Sequence, residues 1–372
     1  MPDIDIGMGK LARQAFELDD LTIVPSRRTR DADLVDLGWQ LDAYRFRLPI
    51  MGSAMDSVIS PATAVELARL GGLGVLNLEG LWTRYAQVEP LLAELAGLEG
   101  EAGVARLRQL YAHPIDPDLV TQRIGELRAG GALAVGAVSP KRVAELIGLL
   151  RRVELDLLVI RGTVVSAEHV TRNGQPLDLK RFVRELDLPV VVGGCASYQA
   201  ALHLMRTGAA AVLVGVDGGV TATTGCVTGV GAPLATAIAD VRAARMRHLD
   251  ETGVYVHVIA DGGLRTGADV AKAIACGADA VMLGRALAAA SEAPGRGWHW
   301  GTSIVHPELP QGRRVQVEPV GSMEQILLGP SPHADGRLNI AGALRSAMAT
   351  CGYESVKELQ KAELLVRGGG GR

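Results

Sequence analysis

The chain has 372 residues, of which 48% are apolar and only 3% aromatic, so it can form one large barrel or two ordinary domains, with a core of Ala, Val, Leu and Ile. A formal net charge of −3 argues against nucleic-acid binding, and no apolar run is long enough to cross a membrane. Cys195, Cys226, Cys276 and Cys351 are widely spaced without a CxxC pair, so no metal site and no disulfide framework are expected. The first ten residues lack an apolar stretch; no signal peptide is expected, and a reducing cytoplasm is the default location.

Residues 1–47 read as an N-terminal arm. Short apolar runs then recur at Leu48–Ala54, Gly72–Asn77, Leu133–Val138, Leu155–Ile160, Pro189–Gly193, Ala210–Gly215, Val254–Ala260 and Ala280–Gly284. Runs of this kind suit strands buried on both faces. Helical patterns follow at Pro61–Leu70, Lys141–Arg151, Leu177–Leu186, Tyr198–Thr207, Ala235–Leu249 and Ala268–Cys276. Strict alternation of strand and helix argues for a parallel sheet, and eight units close into a single (β/α)8 TIM barrel of the α/β class spanning residues 1–372. Residues 78–130 form a helical insertion after the second strand, and residues 291–339 a lid-like loop region. Long excursions after barrel strands are where specificity resides. The Gly368–Gly371 run reads as a frayed tail.

Three segments carry chemistry. Asp261-Gly262-Gly263 ends the seventh strand, where two glycines allow backbone N–H groups to approach an anion and the next helix offers its N-terminus. Gly284-Arg285 ends the eighth strand beside it, and Arg285 can pair with phosphate oxygens. The plain alternative is that Asp261 caps a turn or helix. The Gly-rich loop Gly215–Gly225 follows the sixth strand. Ser53-Ala54-Met55-Asp56-Ser57 follows the first, and suits contact with a ribose or base, or simple strand-end capping by Asp56 and Ser57.

Together these segments resemble the IMP dehydrogenase and GMP reductase family. Phe16–Leu21, Ser53–Val58, Gly71–Val75, Val192–Gly194, Gly229–Pro233, Asp261–Gly263, Gly277–Gly284 and Asn339–Met348 follow in that family's order along nearly the whole chain. Residues 78–130 are too few for the CBS pair of most IMP dehydrogenases, so the resemblance is to the CBS-lacking, IMP dehydrogenase-related branch. It implies a purine nucleotide such as IMP or GMP held by Ser53, Met55, Asp261, Gly262, Gly263, Gly284, Arg285 and Gly321. It also implies NAD or NADP, a monovalent cation and a homo-oligomer, tetramer or octamer.

The resemblance breaks at the reacting centre. The family's nucleophilic cysteine aligns with Ala222, beside Thr224; Cys226 lies four residues on and could substitute only in a rewound loop. An aspartate near the nicotinamide aligns with Arg161, an asparagine with Cys195, a basic residue with Leu213, a phosphate-binding serine with Val220 and a phosphate-binding tyrosine with Val317. The stretch that should carry an Arg-Tyr pair contains Arg337 and no tyrosine. The expectation is therefore a nucleotide-binding barrel without the cysteine-dependent reaction. The departures at Arg161, Ala222 and Asp217 argue against both the nicotinamide cofactor and the cation. The alternatives are an active NAD(P)-dependent oxidoreductase using Cys226, and a structural oligomer without ligand. In Gly297-Trp298-His299-Trp300 the tryptophans read as a packed loop anchor or a platform over a base, and His299 and His306 as groups titrating near neutrality.

Overall fold

Parallel strands close into a barrel in the computed structural model, which describes residues 3–170, 178–306 and 308–367; the Gly368–Gly371 tail lies outside them. The strands are β1 (Ile50–Gly52), β2 (Leu73–Gly74 and Leu76–Asn77, two halves on either side of Val75), β3 (Val135–Val138), β4 (Leu157–Arg161), β5 (Val190–Cys195), β6 (Ala211–Val214), β7 (His257–Asp261) and β8 (Ala280–Leu283). β8 returns to β1 with Met282 opposite Met51. The two halves of β2 complete the ring, Leu73 pairing with Met51 of β1 and Leu76 with Gly136 of β3. The chain thus forms the expected TIM barrel, with each apolar run a strand whose ends differ from expectation by a few residues at most.

Successive side chains of a strand point to opposite faces, and the barrel's two apolar clusters follow that period. Leu158, Ile160, Val190, Val192, Val212 and Val214 pack outward under the helices. Leu157, Val159, Val191, Ala211 and Leu213 fill the interior. The N-terminal arm supplies the floor: strands Trp39–Leu41 and Tyr44–Phe46 pair as a hairpin, and Trp39, Leu41 and Phe46 join the interior cluster. Trp39 also meets the ring of His257, the first residue of β7, edge-on with centroids 6.2 Å apart. With one end plugged, the other end of the barrel is left to open as a mouth.

The helices are α1 (Pro61–Leu70), then α2 (Glu89–Ala96), α3 (Gly100–Ala112) and α4 (Pro117–Ala129) between β2 and β3. They continue with α5 (Pro140–Leu150), α6 (Leu179–Glu185), α7 (Tyr198–Met205), α8 (Thr224–Thr228), α9 (Leu234–Thr252), α10 (Gly267–Cys276), α11 (Arg285–Ala288), α12 (Met323–Leu328) and α13 (Ile340–Thr350). α1 shows why the boundaries fall where they do. Ser60 accepts from the Thr63 N–H at 3.1 Å, Pro61 occupies the first turn, and Gly71 stops the helix at φ 102°. Among the described residues of 291–339 the backbone is mostly irregular, but Trp298–His299 and Val315–Gln316 pair antiparallel.

Candidate functional site

The C-terminal ends of the strands surround a cavity of about 450 Å³. Its wall includes Ser53, Met55, Ala222, Thr224, Asp261, Gly262, Gly263, Gly284 and Arg285, so most of the residues singled out from sequence meet in one place. Gly321 is not part of this wall. Its carbonyl accepts from the Ser291 N–H at 2.9 Å, which ties it to the segment after α11. Cys226 is exposed on α8 and does not line the cavity either.

The loops after β6 and β7 touch backbone to backbone. A Cβ on Gly262 would lie 3.1 Å from Gly218 Cα, and φ at Gly262 is 112°, a value that favours glycine. Gly262 and Gly263 both line the cavity and, having no side chains, present main chain to it. Asp261 does not cap α10: Thr266 does so, accepting from the Asp269 N–H at 3.2 Å, with Asp269 returning the bond to the Thr266 N–H at 3.0 Å. The Asp261 carboxylate instead meets Arg161 from the end of β4. Arg161 Nε and a terminal guanidinium nitrogen each lie 3.2 Å from Asp261 Oδ2. Among the described residues the other oxygen, Oδ1, accepts no hydrogen bond.

Asp56 and Ser57 do not serve as strand-end caps. Asp56 is fully buried, accepts a short hydrogen bond from the Tyr111 hydroxyl of α3, and has its carboxyl pushed up to about 6 by loss of water. Tyr111 in turn accepts from Trp300 Nε1 at 3.3 Å. Ser57 Oγ donates to the Trp300 carbonyl at 3.2 Å, accepts from the Trp300 N–H at 3.2 Å, and lies 3.0 Å from His299 Nδ1. A hydroxyl has one proton and two lone pairs. With the proton on the Trp300 carbonyl and one lone pair on the Trp300 N–H, the remaining lone pair accepts from Nδ1–H. His299 Nε2 is then an acceptor, close to Gly284 and Met55 in the cavity wall.

The expectation that His299 titrates near neutrality is corrected by its surroundings. Burial first, then the charges of Arg285 and Arg161, hold it down to about 3, so it is neutral at physiological pH. The tryptophans beside it are loop anchors. Trp300 is buried against α3, and Trp298 Nε1 donates to the Ala96 carbonyl of α2 at 3.2 Å with Arg314 stacked 3.7 Å from its ring centroid. The remaining wall carries groups that sequence reasoning did not select as site residues, among them Asn77, Glu79, Ser139 and Arg161. Arg161 was visible only as a departure at its own position, and nothing local announces a partner in β7.

Residues 15–304 match the family model of the IMP dehydrogenase / GMP reductase domain. The chain belongs to this family. A protein of Mycolicibacterium smegmatis named as an uncharacterized oxidoreductase is 51% identical, covering 98% of this chain and 99% of its own. The inosine-5'-monophosphate dehydrogenase of Haemophilus influenzae is 26% identical over 97% of this chain and 95% of its own; that alignment spans 488 positions, in keeping with a chain lacking the CBS pair. The crystal structure of an IMP dehydrogenase/GMP reductase-like protein from Corynebacterium glutamicum superposes with a TM-score of 0.92 at 45% identity, covering 98% of each chain.

Proposed function

We propose that this family member binds a purine nucleotide such as IMP or GMP at the barrel mouth and lacks the family's cysteine-dependent reaction. The observation that carries the reading is the cavity wall itself: Ala222, which the family resemblance puts at the nucleophile's position, lines it, and among the described residues no cysteine does. Cys195, at the end of β5, donates its thiol to the Leu213 carbonyl at 3.4 Å and is pushed up to about 12 by burial, so it supplies no thiolate. Cys226 would need α8 to unwind, yet the loop before it is pinned by the Thr223 N–H on the Gln311 carbonyl (3.1 Å) and the Arg313 N–H on the Thr221 carbonyl (2.8 Å).

In this reading the Gly262-Gly263 backbone and Arg285 hold phosphate, Asp261 Oδ1 accepts from ribose, and His299 Nε2 accepts a donor from the ligand. NAD or NADP has no assigned role, because the Arg161 guanidinium occupies the approach to Asp261 where the family resemblance calls for an aspartate. A monovalent cation has none either, since the Asp217 carboxylate fills space beside Gly225 in the loop after β6. The second reading is an active NAD(P)-dependent oxidoreductase, favoured by the name of the Mycolicibacterium relative. A purely structural oligomer without ligand is the third.

Association into a tetramer or octamer is part of the proposal, supported by the exposed apolar residues Ile4, Ile6, Met8 and Leu11 on a separate antiparallel hairpin, Asp3–Gly7 with Lys10–Arg13. So is a cytoplasmic location, supported by four free thiols; among the described residues no helix is long and apolar enough to cross a membrane. The deciding experiment is a thermal-shift screen with IMP and GMP followed by assays for nicotinamide reduction and oxidation. A rise in melting temperature without turnover supports the proposal. Turnover abolished by Cys226→Ala supports the second reading, and no binding of any nucleotide the third.

A further inference from the structure

A second cavity, of about 770 Å³, adjoins the first beyond the ends of β7 and β8. Arg265 and Arg285 line both cavities, and Arg337 lines the outer one. Arg285 and Arg337 are half-buried, and among the described residues neither guanidinium has an ion pair or hydrogen bond. Arg265 has one long contact, 3.7 Å, to the exposed Asp19. Glu318 and Asp335 also line the outer cavity, without an ion pair to any of the three arginines. Arg296, on the same wall, is already paired with Glu89 at 2.5 Å.

Like charges without counterions repel, and the strain is felt at Arg285: burial first, then Arg265 and Arg337, weaken its hold on the proton. An anion between the three would relieve it, and the guanidinium fork matches phosphate oxygens. A single phosphate on the Gly262-Gly263 backbone would stand in the inner cavity, which Arg265 and Arg285 line but Arg337 does not.

We infer that the site takes a nucleotide with a diphosphate or longer phosphate chain, the first phosphate on Gly262, Gly263 and Gly284, the next among Arg265 and Arg337, and Arg285, which lines both cavities, between the two. The inference rests on the nucleotide-binding reading and narrows its ligand. Titration calorimetry of the full chain with GMP, GDP, IMP and IDP, in chelator and without added divalent metal, tests it. The diphosphates should bind about tenfold or more tighter than their monophosphates, as expected for an added charge-assisted contact. In Arg337→Gln, checked for an unchanged melting temperature, the ratio of the two affinities should fall towards one. Equal affinities in the natural protein, or a ratio untouched by Arg337→Gln, would overturn the inference and leave nucleotide binding standing. No binding by any of the four nucleotides would overturn both.

Discussion

Arg161, at the end of β4, reaches across the barrel mouth to Asp261, at the end of β7, and holds Oδ2 from two nitrogens at 3.2 Å. The carboxylate expected to meet ribose is therefore already half-engaged, and its geometry is set by a cation from the opposite wall. The two side chains are only 28% and 16% exposed, so the pair is better shielded than a surface salt bridge. A double-mutant cycle with Arg161→Ala and Asp261→Ala, followed by chemical denaturation, should return a coupling of roughly 0.5–1 kcal/mol. Additive effects would mean that the contact does not persist in solution.

Asp56 gives the fold a pH signature. Its folded carboxyl is raised to about 6, above the ordinary carboxylate value, so the folded state binds the extra proton between the two. The stability this proton confers is complete below the unfolded value, falls as pH rises, and is lost above about 6. The difference in melting temperature between the natural protein and Asp56→Asn should consequently move in favour of the variant as pH is raised from acid to neutral. A constant difference across that range would rule out the buried, partly protonated carboxyl.

Ser57 is predicted to act through His299 and Trp300. Removing its hydroxyl in Ser57→Ala leaves Nδ1 and two main-chain groups of Trp300 without their partner, at a cost of about 1–3 kcal/mol for the buried groups. The melting temperature should fall, and so should nucleotide affinity, because Nε2 loses its fixed role as acceptor. His299 has its folded value lowered to about 3, so the stability it contributes is present above the unfolded value near neutrality and lost as pH falls towards 3. An NMR titration in which the His299 ring takes up a proton near pH 6.5 would contradict this assignment.

At the floor of the barrel, Arg245 and Asp279 form an almost fully buried ion pair at 2.7 Å. Asp279 also accepts from the Tyr255 hydroxyl at 2.6 Å, the Val258 N–H at 2.8 Å and Gln360 Nε2 at 3.0 Å. Asp279→Ala leaves the guanidinium buried without a counterion, and should cost about 3–5 kcal/mol. A loss below about 1 kcal/mol, typical of a surface site, would show that water reaches the pair.

The barrel was legible because its strands are buried on both faces: Pro189–Gly193 or Ala210–Gly215 reads as strand whatever surrounds it. The plugging hairpin was not, because Trp39–Leu41 and Tyr44–Phe46 are short and their apolar residues find partners only across the barrel interior. At the site, the Asp261-Gly262-Gly263 motif was recognisable from residue type and spacing. Its neighbours were not, since Arg161 and Asp261 are 100 positions apart. The environment of His299 was equally hidden: the residue type alone suggests titration near neutrality, whereas enclosure by Ser57, Trp300 and two arginines keeps it neutral. Asp56 likewise looked like a turn residue until α3 brought Tyr111 to it.

A nucleotide site without the family's covalent chemistry is distinguished from an active one by measuring turnover of IMP with NAD and of GMP with NADPH at nucleotide concentrations that saturate the thermal shift. A shifted melting temperature is expected, with no change in nicotinamide absorbance beyond the protein-free control. Sustained turnover that disappears in Cys226→Ala would contradict it.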